Sequence, residues 1–260
     1  AGHIACGDAI KGTATFPDVL DLEYLKDESF TNQSVTRAVF ENPSSNDDIE
    51  IEFRGPGAVL DRKRYGEIIL EEAERLGADI HYDTVVQDVT QADDGTVTGV
   101  TGKQNGSAVA YDAEIVIDAA GSLSILQDKT DFSDSFFDTN VRYSQFCSAY
   151  REVIEVDEPV EWHDAIVFKP TKELGYLWYF PRTPTRINVG VGFQMDQPEM
   201  QMISAIEADI EARDDIVNPT VVDKLGAAVP TRRPYDSAVA PGYVAVGDAA
   251  GHVNPTTGGG

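Results

Sequence analysis

The sequence predicts an α/β (α+β) chain in which segments of buried strand, sharp turn and helix alternate with antiparallel hairpins. Three stretches predict it. Residues 242–260 read GYVAVGDAAGHVNPTTGGG, a short apolar run followed by Gly-Asp, Ala-Ala-Gly, Asn-Pro and three glycines. That is the pattern of a strand buried on both faces that ends in a tight turn stripped of side chains. Residues 34–53 hold two strand-like runs, SVTRAVFE and DIEIEFRG, around the turn cluster Asn42-Pro43-Ser44-Ser45-Asn46-Asp47, which reads as a hairpin. From Asp61, DRKRYGEIILEEAERLGA places Tyr65, Ile68, Ile69, Ala73 and Leu76 at helical spacing, with Asp61 as the cap and Gly77 as the stop.

Composition narrows the function. With 45 acidic and 20 basic residues the net charge is -25, which argues against nucleic acid and against adhesion to anionic lipid head groups. Hydrophobic residues still make up 42%, so an ordinary core lies under an acid-rich surface suited to a cytoplasm of very high salt. The two cysteines, Cys6 and Cys147, lack metal-ligand spacing, so neither a disulfide framework nor a zinc site is expected. No apolar run approaches the ~20 residues that span a bilayer. A cytoplasmic protein is expected, at most peripheral at the inner membrane face. Residue 1 begins in a glycine-containing loop and residue 260 ends on a third glycine, so an internal piece of a longer chain is expected.

Taken in order, Cys6-Gly7-Asp8 is a tight small-residue turn. After the hairpin and the helix, strands are expected over 79–82 and 84–89, then a small meander over 96–102 and 108–111 turned by Asp93-Asp94-Gly95 and Asn105-Gly106. AEIVIDAAG, residues 113–121, is an apolar run that ends in small residues. Strands follow over 141–153 and 165–168. In GYLWYFPRTPTRINVGVG, residues 175–192, Tyr176, Trp178 and Phe180 alternate and so share one sheet face, while Leu177 and Tyr179 point the other way. A helix is expected over 200–213, with Asp196 and Glu199 as a capping box. Thr231-Arg232-Arg233-Pro234 offers either a phosphate contact or a solvated arginine pair.

The terminal Gly-Asp segment resembles the ribityl-binding segment of FAD enzymes of the p-hydroxybenzoate hydroxylase type. Within that group, Cys6-Gly7-Asp8-Ala9 is similar to the C-G-D-A loop of geranylgeranyl reductases. Tyr176, Trp178, Phe180 and Pro181, followed by Gly190 and Gly192, resemble that family's Y-x-W-x-F-P and G-x-G. Asp61-Arg62 matches the group's D-R pair. Residues 113–122 resemble its A-D-G-x-x-S segment, with Ala120 in place of the usual aspartate. The four main matches fall in the family's order and cover nearly the whole chain, and a haloarchaeal source is implied.

The resemblance implies a Rossmann-like FAD-binding domain (residues 1–33, 54–135 and 231–260) interleaved with an antiparallel substrate-binding sheet (34–53 and 136–230). The upstream G-x-G-x-x-G that such a domain needs is missing. Cofactor contacts are implied for Cys6, Gly7, Asp8, Arg62, Gly121, Gly247, Asp248, Gly251, Pro255, Gly258 and Gly259. Asp248 would hold the ribityl chain, and residues 255–260 would face the flavin ring. Cys6 is the catalytic candidate; the residues alone also allow a small buried thiol there, and a solvated cap at Arg62. Substrate contacts are implied for Tyr176, Trp178, Phe180, Pro181, Gly190 and Gly192, whose rings suit an extended hydrocarbon. The implied activity is saturation of isolated double bonds in geranylgeranyl chains of membrane ether lipids, with electrons from an external reduced nicotinamide or ferredoxin. An aromatic monooxygenase of the same fold and a non-catalytic remnant are the rival readings.

Overall fold

The computed structural model describes residues 6–12, 14–45, 47–122, 126–130, 143–172, 174–194, 201–231, 238–254 and 257–259. In chain order the elements begin with β1 (Ala9–Ile10), α1 (Leu22–Ser29), β2 (Phe30–Phe40), β3 (Ile49–Leu60) and α2 (Arg62–Arg75). Next come β4 (Thr84–Gln91), β5 (Val97–Gln104), β6 (Ser107–Asp112), β7 (Val116–Asp118) and α3 (Leu126–Lys129). Then follow β8 (Cys147–Glu155), β9 (Ala165–Pro170), β10 (Gly175–Thr183), β11 (Arg186–Gln194), α4 (Met202–Glu211) and β12 (Thr220–Val229). The chain closes with β13 (Val239–Ala240), β14 (Tyr243–Ala245) and a 3-10 turn over Gly247–Ala250. By contacts it divides into two units, Ala1–Ala78 with Ser148–Ala227, and Asp79–Cys147 with Ala228–Gly260. Among the described residues no helix is long and apolar enough to cross a membrane.

The first unit is built on an eight-stranded sheet in the order β1-β3-β2-β9-β10-β11-β8-β12. The expected hairpin is there as β2 and β3, paired antiparallel from Phe40↔Ile49 to Phe30↔Leu60 with three register shifts along it. At the start of α2 the Asp61 carboxylate accepts from the Lys63 and Arg64 N–H groups at 3.0 and 3.2 Å, which satisfies two of the helix's open donors. Helix α1 is capped by Asp21, whose side chain accepts from the Tyr24 N–H, and buries Leu25 and Ser29.

One face of the large sheet carries the core. Val39, Val167, Leu177, Tyr179, Ile187, Val189 and Val191 pack there with Ile206 of α4. Polar contacts hold α4 down: the Tyr179 hydroxyl and Lys169 Nζ donate to Asp209 at 2.6 and 2.5 Å, and Arg213, just past the helix end, stacks over the Tyr179 ring at 4.5 Å. Helix α4 is shorter than the expected 200–213. The proposed capping box at Asp196 and Glu199 lies outside the described residues, and Gln201 begins the helix without a side-chain cap. Helix α1 and strand β12 were not anticipated from the sequence.

The second unit holds two three-stranded sheets, β4-β5-β6 and β13-β14-β7. The meander is found as read, but residues 79–82 form a loop rather than a strand. His81 Nε2 lies 3.2 Å from Asp79 Oδ2, and Asp83 turns into the left-handed region at φ 52, which breaks the extended backbone just before β4. Strand β8 begins at Cys147, after a 3-10 turn at Tyr143–Gln145, later than the expected residue 141. Strand β14 lies between β13 and the parallel β7. It was expected to be buried on both faces, and the structure corrects this. Tyr243 and Ala245 are buried with Val97, Val116 and Leu126, whereas Val244 is half-buried and Val246, past the strand's end, is exposed. The strand offers one buried face because Ile117, beside Val244 on β7, is itself exposed.

Candidate functional site

In the first unit the Cys6-Gly7-Asp8 loop packs on the β10–β11 pair. Register pairs Trp178 with Gly190, and Tyr176 with Gly192. A Cβ on Gly190 would overlap the Trp178 indole, and one on Gly7 would overlap the Phe180 ring and crowd Trp178 Nε1. Both glycines therefore serve close approach: strand and loop can reach the rings only because neither position carries a side chain. Trp178 and Phe180 are 6% and 7% exposed, so the expected aromatic wall is largely covered at this end, while Tyr176 stays half-buried.

The rings extend past β10. Phe168 on β9 meets Tyr176 and Phe180 edge-on at centroid distances of 5.4 and 5.2 Å, and Phe40 on β2 stacks on Phe168 at 5.2 Å. Phe40 and Phe168 were missed because each is one aromatic in an ordinary apolar strand; only the pairing Phe40↔Phe168 and Phe168↔Trp178 puts them in one row. Pro181 cannot donate to the ladder, and a register shift follows it. Its carbonyl accepts from Asn32 Nδ2 at 2.8 Å.

Asp8 is fully buried, with Arg182 Nε at 3.1 Å and Asn188 Nδ2 at 2.6 Å from its Oδ2. Burial pushes its carboxyl above the usual carboxylate range, against the pull of Arg182, Asn188 and Arg151. The Cys6 sulfur accepts from the Asp8 N–H at 3.3 Å and from Arg62 Nη2 at 3.6 Å, while Arg62 also lies over the Tyr65 ring at 5.4 Å. Asp8 Oδ1, Arg62 Nε and Arg151 Nε are buried without a hydrogen-bond partner among the described residues. The site reading passed over Asn188; a lone amide inside the apolar run INVGVG is the signal that could have found it.

In the second unit two turns leave the carboxyl ends of neighbouring parallel strands. The β7 end leads to Gly121 and the β14 end to Gly247 and Asp248, and the Val246 N–H binds the Asp118 carbonyl at 2.9 Å. Among the described residues nothing lies within 4 Å of where a Cβ on Gly121 or Gly247 would stand, and both have positive φ, 81 and 58. The backbone at both turns is therefore open to close approach, at the place where ligands of parallel sheets gather. Asp248 is half-buried, its carboxyl raised by that burial, and it has no partner among the described residues. Gly251 closes the 3-10 turn in the left-handed region. Gly258 donates to the Asn254 carbonyl at 2.8 Å, the Asn254 N–H binds the Gly259 carbonyl, also at 2.8 Å, and Pro255 lies outside the described residues, as do Arg232 and Arg233. Behind the turns, the Tyr243 hydroxyl donates to the buried Asp118. This contact was not anticipated, although an aspartate inside AEIVIDAAG signals it.

Among the described residues no group of three or more His, Cys, Asp or Glu is placed to hold a metal ion.

Comparison with known proteins bears on what these two sets of residues belong to. The digeranylgeranylglycerophospholipid reductase of Sulfolobus acidocaldarius is 29% identical over 274 residues, covering 100% of this chain and 57% of that protein. Digeranylgeranylglycerophospholipid reductase 2 of Methanothermobacter thermautotrophicus is 30% identical over 209 residues, 78% of this chain and 51% of the relative. The chain thus spans about half the length of the curated relatives it matches. A solved geranylgeranyl bacteriochlorophyll reductase-like protein from Thermoplasma acidophilum superposes with a TM-score of 0.82 at 22% identity, over 98% of this chain and 64% of that one. The myxobacterial chondrochloren halogenase gives 0.69 at 18% identity, over 91% and 57% of the two chains. These likenesses show a shared fold. A family model described as tryptophan halogenase matches residues 23–260. The chain therefore belongs to the tryptophan halogenase family, and among curated proteins it is similar to archaeal digeranylgeranylglycerophospholipid reductases.

Proposed function

We propose that this chain forms part of an FAD-dependent reductase that saturates isolated C=C bonds in geranylgeranyl chains of archaeal membrane lipids. The observation that carries the reading is the packing of the Cys6-Gly7-Asp8 loop on Trp178 and Phe180, with Gly190 beneath the indole. Residues far apart in sequence meet there, and together they are the motifs that the geranylgeranyl reductase resemblance rests on. The names of the curated relatives support the same substrate class.

FAD fits the second unit. Among the described residues, Gly121 and Gly247 leave room for a bulky group against the backbone, and Asp248 offers a carboxylate without a partner to sugar-like hydroxyls. Reduced FAD, when bound, supplies the hydride. An external donor, a reduced nicotinamide or ferredoxin, supplies the electrons. The residues of the chain do the rest. Tyr176, Phe168 and Phe40 give a polyprenyl chain an apolar surface that excludes water, which an unactivated alkene requires. Cys6, whose sulfur lies within reach of the Asp8 N–H and Arg62 Nη2, is the candidate proton donor to the second alkene carbon.

The test is a substrate-class comparison. The FAD-loaded protein is given geranylgeranyl glycerol lipid under anaerobic reduction and, separately, an aromatic acid or tryptophan with oxygen and halide. Reduced lipid with no hydroxylated or halogenated product is the expected result. An oxygen-dependent aromatic product with unreacted lipid would overturn the proposal.

A further inference from the structure

One buried chain of hydrogen bonds links the aromatic strand to the Cys6 loop, and its polarity is fixed by chemistry. An indole N–H can only donate, and Trp178 Nε1 does so to Asn188 Oδ1 at 3.0 Å. Asn188 Nδ2 spends its two hydrogens on the Cys6 carbonyl at 2.8 Å and on Asp8 Oδ2 at 2.6 Å. Carbonyl and carboxylate oxygens accept, so the amide has one orientation, and every donor and acceptor that Asn188 needs here is engaged. Arg182 closes on the same Oδ2 from β10.

The loop is held against its own preference. Asp8 takes φ 70, in the left-handed region that is strained for a non-glycine residue and persists where its surroundings enforce it. The enforcing contacts are the ones just named, together with the Leu60 N–H on the Asp8 carbonyl at 3.1 Å. A fully buried carboxyl with one unpaired oxygen is a poor device for stability alone.

We propose that Asp8 and Asn188 are positioning residues, which clamp the Cys6-Gly7 loop onto Trp178 and Phe180 and so set the spacing between the Cys6 thiol and the aromatic face. The clamp stands on the packing; its consequence for catalysis rests on the reductase reading above.

The experiment reads the loop directly. Burial pushes the Cys147 thiol up to about 11, so alkylation of the native protein near neutral pH, followed by peptide mass, isolates Cys6. Asp8→Asn, Asn188→Ser and, as a destabilised control remote from the loop, Ile206→Ala in α4 are compared with the parent, with and without FAD. The two clamp variants should alkylate at Cys6 roughly 5- to 30-fold faster, as expected for a local opening eased by one or two hydrogen bonds, and the control should not. On geranylgeranyl lipid they should lose kcat with KM nearly held. If Asp8→Asn does not fold, Asn188→Ser carries the test alone, since its carboxylate partner keeps Arg182. Cys6 rates equal to the control's in both variants overturn the clamp. Faster Cys6 alkylation in a protein that reduces no lipid supports the clamp and removes the reductase reading instead.

Discussion

The indole of Trp178 occupies the space that a Cβ on Gly190, its partner across the β10–β11 ladder, would fill. A single methyl at Gly190 must push the ring off the sheet, and Gly7 already lies close to the indole nitrogen. Gly190→Ala should cost about 1–3 kcal/mol of stability by overpacking, read as a lower urea midpoint at unchanged slope, and should shift the tryptophan emission. A variant with the parent's midpoint and spectrum would mean that the ring stands elsewhere.

Asp248 stands half-buried beside the open Gly247, and its carboxylate has no partner among the described residues. Asp248→Ala should weaken FAD by roughly 10- to 150-fold, the worth of one charge-assisted hydrogen bond of about 1.5–3 kcal/mol, measured by fluorescence titration. Because burial raises its pKa above 3.8, affinity should fall on acidification earlier than an exposed aspartate would allow, and the alanine variant should lose that dependence. Equal affinity in parent and variant would remove Asp248 from the cofactor contacts.

Cys147 titrates from 9.0 in a free chain to about 11 in the fold, because burial disfavours the thiolate. The folded state then binds the extra proton between those values, so its contribution to stability is complete below about pH 9 and lost as pH rises to about 11. Denaturant melts across that window should fall more steeply for the parent than for Cys147→Ser. Parallel curves would show the thiol to be solvated.

A net charge of -25 on an ordinary core makes self-repulsion the dominant long-range term. Molar KCl shortens the screening length to about 3 Å, and the melting temperature should rise with it. A melt equally high and equally cooperative in dilute buffer would remove repulsion as a limit on this fold.

The hairpin and helix α2 were legible because turn chemistry, a capping aspartate and a 3.6-residue period each act locally. The same holds for β10 and β11, whose alternation places Trp178 and Tyr179 on opposite faces. Helix α1 was not, since only Leu25 and Ser29 of its residues are buried and the remainder reads as a polar loop. Strand β12, TVVDKLGAAV, keeps no strict alternation and is formed by pairing at the sheet edge. The individual residues of the Cys6 loop were legible, but their coupling through Asn188 was not. Asn188 lies 182 residues from Cys6, and no local pattern encodes a contact that only the fold creates.

The central claim is that flavin-derived reducing equivalents pass to an isoprenoid double bond. An anaerobic single turnover tests it most directly: the protein with FAD reduced by dithionite, no excess reductant, is mixed with geranylgeranyl glycerol lipid while flavin absorbance and lipid mass are followed together. The account predicts that flavin reoxidises and that the lipid gains two hydrogens for each flavin reoxidised. Flavin that stays reduced until oxygen is admitted, with lipid of unchanged mass, would contradict it.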